Sequence, residues 1–210
     1  MTSWLETFGR RITIRLDHIA YRVANRDETV KFFVEAFGYK FQAEFEIFFN
    51  DAKTDKALCI ALEPPEKVIP KSDWVHFMAP GHTQGQYPDQ AYHMAPEIFV
   101  SQGTPGSIVW DWVQARGGVG GIHHLAYQVP SVKDKMAEWK AKGYAEFTSS
   151  EPMHCPGLTQ VFTKPSKLTG VIFEFIEREG FGFCQANVKQ LMESTKEFSG
   201  IKAHADAYMH

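Results

Sequence analysis

The sequence predicts an α+β protein made of two similar halves that share one site. Three observations predict it. Leu16–Val23 reads LDHIAYRV and Ile122–Val129 reads IHHLAYQV, one strand in two copies with His18 and His124 at the same place. Each copy is followed by a helical run that stops at a Gly-Tyr pair, Gly38-Tyr39 and Gly143-Tyr144. Each then continues into short apolar strands, and such matched order and stop signals mark an internal repeat.

Taken in order, Ile12–Val23 alternates apolar and polar residues and reads as a strand. Asn25 is placed to cap a helix over Glu28–Phe37, where Val30, Phe33, Val34 and Phe37 recur at helical spacing. Gly38 ends that helix. Lys40–Phe49 and Ala57–Leu62 read as strands, the second closed by Glu63-Pro64-Pro65. From Pro70 to Pro96 the chain is rich in His, Gln, Gly, Pro and aromatics without a sustained period, as long functional loops often are. Ser107–Arg116 is a short helix before Gly117-Gly118, and the glycines up to Gly121 precede a strand, so they form a linker and not a phosphate loop. In the second copy Ile122–Val129 is a strand and Ser131 caps a helix over Val132–Ala141. Thr159–Thr163 and Gly170–Glu177 are strands, and Gln185–Phe198 is a helix on the spacing of Val188, Leu191, Met192 and Thr195. The chain thus divides into a first module at 12–67, an irregular insertion and linker at 68–121, and a second module with a terminal helix at 122–198.

Composition narrows the function. The 210 residues suffice for one large core or two modules sharing one, and a net charge of −3 gives no electrostatic reason to expect nucleic acid or an anionic membrane. No apolar run reaches the roughly 20 residues that span a bilayer. The first residues, MTSWLETFGRR, lack the apolar segment of a secretory signal, and Cys59, Cys155 and Cys184 have no C-x-x-C spacing, so a reduced cytoplasmic setting is expected. Cys155 and Cys184 read as small buried residues. Aromatics make up 14% of the chain, including 17 Phe, which suits a core and equally a pocket for a flat or apolar ligand.

A histidine in an apolar strand is by default a core residue with a hydrogen-bonded partner. Here two of them hold equivalent repeat positions, so a two-fold relation would bring them together. Glu174 sits in the strand VIFEFIER among Phe173, Phe175 and Ile176, where an unpaired carboxylate is costly to bury and a metal would resolve the cost. Two imidazoles and one carboxylate match a mononuclear iron site with open coordination positions. His123 should face away from His124, because side chains alternate along a strand. His76, His82, His93 and His154 lie in irregular segments and read as solvated. Aligning CIALEP at Cys59–Pro64 with FEFIER at Phe173–Arg178 sets Ile60 opposite Glu174, so the first half supplies a histidine without a carboxylate. A one-residue slip would make Glu63 a fourth ligand, which would suit a Lewis-acid isomerase.

These residues resemble the vicinal oxygen chelate superfamily, the glyoxalase/bleomycin resistance/dioxygenase fold, whose paired βαβββ modules form a cup around a metal. The second half is similar to the catalytic domain of the 4-hydroxyphenylpyruvate dioxygenase family in GGIHHLAYQV at Gly120–Val129, LTQVFTKP at Leu158–Pro165 and IFEFIEREGFGFCQANVKQL at Ile172–Leu191. The resemblance implies Fe(II), or another divalent metal, held by His18, His124 and Glu174. It implies Gln160, Phe181, Phe183, Asn187 and Glu63 around the substrate, with the terminal helix closing the pocket. It further implies an aromatic 2-oxo acid and dioxygen as small-molecule partners, with self-association left open. Cys184 and Ala186 replace two glycines of the family's turn, and the 70–96 segment has no counterpart. A non-redox metal-dependent epimerase or lyase, with Glu63 as base or ligand, and a metal-free ligand-binding protein are the alternatives.

Overall fold

The computed structural model describes residues 15–65, 95–178 and 183–198. Its elements are β1 (Arg15–Val23), α1 (Arg26–Phe37), β2 (Lys40–Phe48), β3 (Lys56–Glu63), β4 (Glu97–Gly103), α2 (Ile108–Gln114), β5 (Gly120–Gln128), α3 (Val132–Ala141), β6 (Met153–Cys155), β7 (Leu158–Phe162), β8 (Ile172–Arg178) and α4 (Gln185–Ser194), with a 3₁₀ turn at Lys196–Phe198. The helix caps predicted at Asn25 and Ser131 form, and Ser107 adds a third. The Asn25 side chain accepts the Glu28 N–H, and Ser107 and Ser131 do the same for Trp110 and Asp134. Gly38 takes the left-handed conformation at φ 73° that ends α1.

One eight-stranded mixed sheet carries everything, in the order β2-β3-β4-β1-β5-β8-β7-β6. The order is symmetric about its centre. β1 and β5 pair antiparallel, each has a parallel partner outside it (β4 and β8), and each of those continues into antiparallel strands. The sheet therefore consists of two βαβββ halves, and it curls into a half-barrel. Alternation sorts the side chains. Ile19, Tyr21, Val23, Ile60, Leu62, Ile98 and Val100 pack outward near Val30 and Phe33 of α1. On the other half Val129, Val161 and Phe175 pack against Val132 and Met136 of α3. The concave face holds Ala20, Ala57, Cys59, Ala61 and Phe99, roofed by Val188 and Met192 of α4. Among the described residues, no helix is long and apolar enough to cross a membrane.

Two differences from the sequence reading matter for the site. Glu97–Gly103, within the stretch read as irregular, is β4 and completes the first half. Three of its residues in a row, Ile98, Phe99 and Val100, are buried because both faces of the strand are covered, so it shows no alternation to read. This also replaces the alignment of CIALEP with FEFIER. The strand equivalent to β8 is β4, and β3 is equivalent to β7. Further, Cys155 and Cys184 are not separate buried thiols: they are joined as a disulfide that ties β6 to the start of α4, which leaves Cys59 as the free thiol. Residues 70–94, Phe181 and the tail after Phe198 lie outside the described residues.

Gly120 shows how tightly the centre is built. Its φ is +90°, and a Cβ there would stand 2.1 Å from the Arg22 carbonyl oxygen, a backbone atom that cannot step aside. Gly120→Ala is expected to cost about 3 kcal/mol. In thermal unfolding that appears as a drop of about 6–12 °C. An unchanged melting temperature would mean the β1–β5 crossing is looser than it stands here.

Candidate metal centre

His18 on β1, His124 on β5 and Glu174 on β8 all point into the concave face and are buried. Their ligand atoms lie close together: His18 Nε2 to His124 Nε2 is 3.2 Å, His18 Nε2 to Glu174 Oε2 is 3.3 Å, and His124 Nε2 to Glu174 Oε2 is 3.0 Å. Neighbouring ligands of an octahedral ion with bonds near 2.1 Å stand about 3.0 Å apart, and those of a tetrahedral ion about 3.4 Å. The observed triangle falls in that interval, and this group of His18, His124 and Glu174 could hold a metal ion. The donor set also fits in kind, being the two-imidazole, one-carboxylate combination of open mononuclear sites.

Each ligand has a partner that fixes it. The Asp17 carboxylate lies 2.9 Å from His18 Nδ1 and accepts its proton, which turns the lone pair of Nε2 toward the triangle; Arg178 holds Asp17 at 2.6 Å. On the other side His123 Nδ1 lies 2.8 Å from His124 Nδ1 and can take the same role. The Gln160 amide donates to Glu174 Oε1 at 2.5 Å, leaving Oε2 for the histidines, and Asn187 donates to the Gln160 carbonyl at 3.2 Å.

The position of His123 departs from simple alternation. It is 6% exposed and lines the same cavity as His124. The cause is a pair of β-bulges related by the internal symmetry. Between Leu16 and His18 the register skips Asp17, and between His124 and Ile122 it skips His123. In both halves the bulged residue directly precedes the ligand histidine, swings to its side, and becomes its hydrogen-bond partner. The repeat itself, Asp17-His18 against His123-His124, was the signal for this arrangement.

The remaining candidates divide. Gln160 and Phe183 line the cavity, whose volume is about 400 Å³ including its mouth, together with Phe99, Phe162 and Leu191. The edge of the Phe183 ring meets His18 at 5.1 Å between centroids. Asn187 is buried behind Gln160 and does not line the cavity. Glu63 stands at the end of β3 opposite Lys40 and also lies outside the cavity lining. His154 is exposed. Phe99 and Arg22, which the sequence reading did not single out, both line the cavity.

The electrostatics follow from burial and neighbours. Burial works against a charge on His18, but the Glu174 and Asp17 carboxylates overcome it and raise its pKa to about 9. Burial lowers His124 to about 4, against the pull of Glu174. Burial alone would raise Glu174, yet the two histidines hold it well below the usual carboxylate range. The metal-free centre therefore carries its proton on His18. A metal must displace that proton below pH 9, so apparent affinity is expected to rise about tenfold per pH unit from 6.5 to 9 and then level. Calorimetric titration in buffers of different ionisation heat should find one proton released per metal bound within this window. The same shift sets stability. A raised His18 pKa stabilises the metal-free fold fully below pH 6.5, and this is lost as pH climbs through 9.

Two bulged central strands, a symmetric sheet and a His-His-Glu group drawn from both halves define a paired-βαβββ cup with a candidate metal site. The chain belongs to the Glyoxalase/Bleomycin resistance protein/Dioxygenase superfamily, whose family model matches residues 17–158. Among solved structures it is similar to a mutant of 4-hydroxymandelate synthase from Streptomyces coelicolor, at 16% identity and TM-score 0.63, over 89% of this chain and 54% of that one. The chain thus spans about half the length of that enzyme. It is also similar to a methylmalonyl-CoA epimerase, at 22% identity and TM-score 0.54, over 81% of this chain and all of the other. A Streptomyces coelicolor methylmalonyl-CoA epimerase in complex with 2-nitronate-propionyl-CoA aligns at 18% identity and TM-score 0.52, over 80% of this chain and 100% of that one. At these identities the likeness is one of fold. Among curated proteins none matches the chain.

Proposed function

We propose that the protein is an Fe(II)-dependent dioxygenase similar to 4-hydroxyphenylpyruvate dioxygenase, acting on an aromatic 2-oxo acid. The observation that carries this reading is the residue at the symmetry mate of Glu174. In β8, Glu174 stands opposite Ala126 and Phe162; in β4, Phe99 stands opposite the equivalent Ala20 and Ala61. The first half therefore presents a phenyl ring where the second presents a carboxylate. Three protein ligands leave positions for a bidentate substrate and dioxygen, whereas a fourth would favour Lewis-acid chemistry. The fold likeness to a hydroxymandelate synthase and to epimerases does not choose between these chemistries. Phe99 does.

When bound, iron supplies the redox chemistry and the chelation point for a 2-oxo acid. The chain's residues supply the rest. Asp17 and His123 keep the imidazoles in the tautomer and orientation that ligate. Gln160, backed by Asn187, fixes the Glu174 carboxylate. Phe99, Phe162 and Phe183 exclude water and offer faces and edges to an aromatic side chain, and α4 closes over them.

The test is anaerobic purification with metal analysis, followed by oxygen uptake with Fe(II) and a panel of aryl 2-oxo acids. Stoichiometric iron with substrate-dependent uptake is the expected result. Turnover supported by cobalt or manganese without oxygen consumption would replace this reading with the epimerase or lyase. Failure to hold metal after reconstitution would leave a binding protein.

A further inference from the structure

Arg22 is an exception in this interior. It lies four residues beyond His18 on β1, and His18, Ala20 and Arg22 all face the cavity. Its side chain is 2% exposed. Nη2 donates to the Thr195 hydroxyl at 3.3 Å, and Nη1 has no hydrogen-bond partner among the described residues. The guanidinium lies over the Trp112 ring, 5.9 Å from its centroid, and Arg116 lies over the same ring at 3.6 Å. Among the described residues the charged group acting on Arg22 is Arg116, which is repulsive, and no carboxylate faces it. A buried guanidinium with an unpartnered nitrogen is costly for a fold to keep. The internal symmetry does not require it, since the equivalent of Arg22 in LDHIAYRV is Gln128 of IHHLAYQV.

We infer that Arg22 is a substrate-anchoring residue that pairs with an anionic group, a carboxylate, at the end of the substrate remote from the metal-chelating oxygens. The inference rests on the triad being the chelation point for a 2-oxo acid, and it adds that this acid is at least dianionic. The geometry suits such a molecule. Along a strand the Cα atoms of His18 and Arg22 stand roughly 13 Å apart. The two side chains converge on one cavity. An anion bound there would satisfy Nη1. On the neighbouring strand β4, Phe99 lines the cavity opposite Ala20, between the two ends, and Ser101 lines it opposite Arg22.

The test has two arms. In Fe(II)-loaded protein under argon, 2-oxoalkanoates and the 2-oxoalkanedioates of matching chain length are titrated by their charge-transfer absorption. Phenylpyruvate and its ring-carboxylated counterpart are titrated in the same way. At least one diacid should bind about 10–100-fold more tightly than its monoacid. Arg22→Gln should erase that preference, read as the diacid-to-monoacid affinity ratio within each protein, and Arg22→Lys should restore part of it. A wild-type protein without the preference, or an Arg22→Gln protein that keeps it, overturns the inference. The second arm titrates simple alkanedioates into metal-free protein by calorimetry, where binding lost in Arg22→Gln is expected. If the 2-oxo acids give no chelate signal but this arm shows Arg22-dependent binding, the anchor stands and the dioxygenase reading falls. If neither arm shows it, the anchor falls. Arg22→Met in metal-free, ligand-free protein should raise the melting temperature by about 2–4 °C, which a purely structural arginine would not do.

Discussion

Glu174→Ala is expected to remove metal binding, weakening affinity by more than about 100-fold, the upper range for loss of an outer-shell partner. Substrate-dependent oxygen uptake should fall to background with it, and His124→Ala should behave alike. Glu174 is the one carboxylate among the three ligands, and Oε2 is the atom both imidazoles approach. Without it the site has two neutral donors and a buried Gln160 amide that has lost its acceptor. The metal-free fold should suffer as well. His18 carries its proton because Glu174 and Asp17 face it, so removing Glu174 strips one side of a buried ion pair, at a cost of about 3–5 kcal/mol. Metal titration and thermal unfolding of the same samples separate the two effects. Glu63→Ala is the matched control: it stands opposite Lys40 at the far end of β3, and metal affinity should stay within about twofold. Retention of wild-type affinity in Glu174→Ala, or its loss in Glu63→Ala, would move the centre elsewhere.

Why the triad could be read before the fold was known comes down to the repeat. LDHIAYRV and IHHLAYQV fix His18 and His124 as equivalent, and a strand pair at a two-fold centre must bring equivalent inward residues together. The helix boundaries were legible for local reasons, since Asn25, Ser107 and Ser131 cap their own helices within three residues. What alternation could not supply were features set by pairing across the sheet. His123 faces inward only because β5 is bulged there, and a bulge is a property of two strands and not of one. β4 lacked a period because both its faces are covered, and without β4 the symmetry mate of Glu174 was sought in β3. The mate is Phe99 and not Ile60, and neither side chain can ligate. Arg22 was not singled out, because the lack of a partner for its Nη1 among the described residues depends on neighbours from α4 and β4.

Phe99→Glu is expected to turn the three-ligand centre into a four-ligand one. The substitution puts a carboxylate at the symmetry mate of Glu174, on a strand held in parallel register with β1, while His18 and His124 stay where they are. Two opposing consequences make the outcome readable. In metal-free protein the new carboxylate lies in the cluster of Ala20, Ala61, Val188 and Met192, replacing a ring that touches Phe45 and Phe183, so the fold should lose about 3 kcal/mol or more. With manganese or cobalt present the same carboxylate gains a partner, and the stabilisation on adding metal should exceed that of wild type. Oxygen uptake should fall by about 100-fold or more, because a position needed by substrate or dioxygen is filled from the protein. Phe99→Leu separates volume from charge: it should keep metal affinity and most of the oxygen uptake. If Phe99→Glu shows no added stabilisation by metal and retains oxygen uptake, then β4 does not mirror β8 at the centre. The choice between redox and Lewis-acid chemistry would then have to rest on residues other than Phe99.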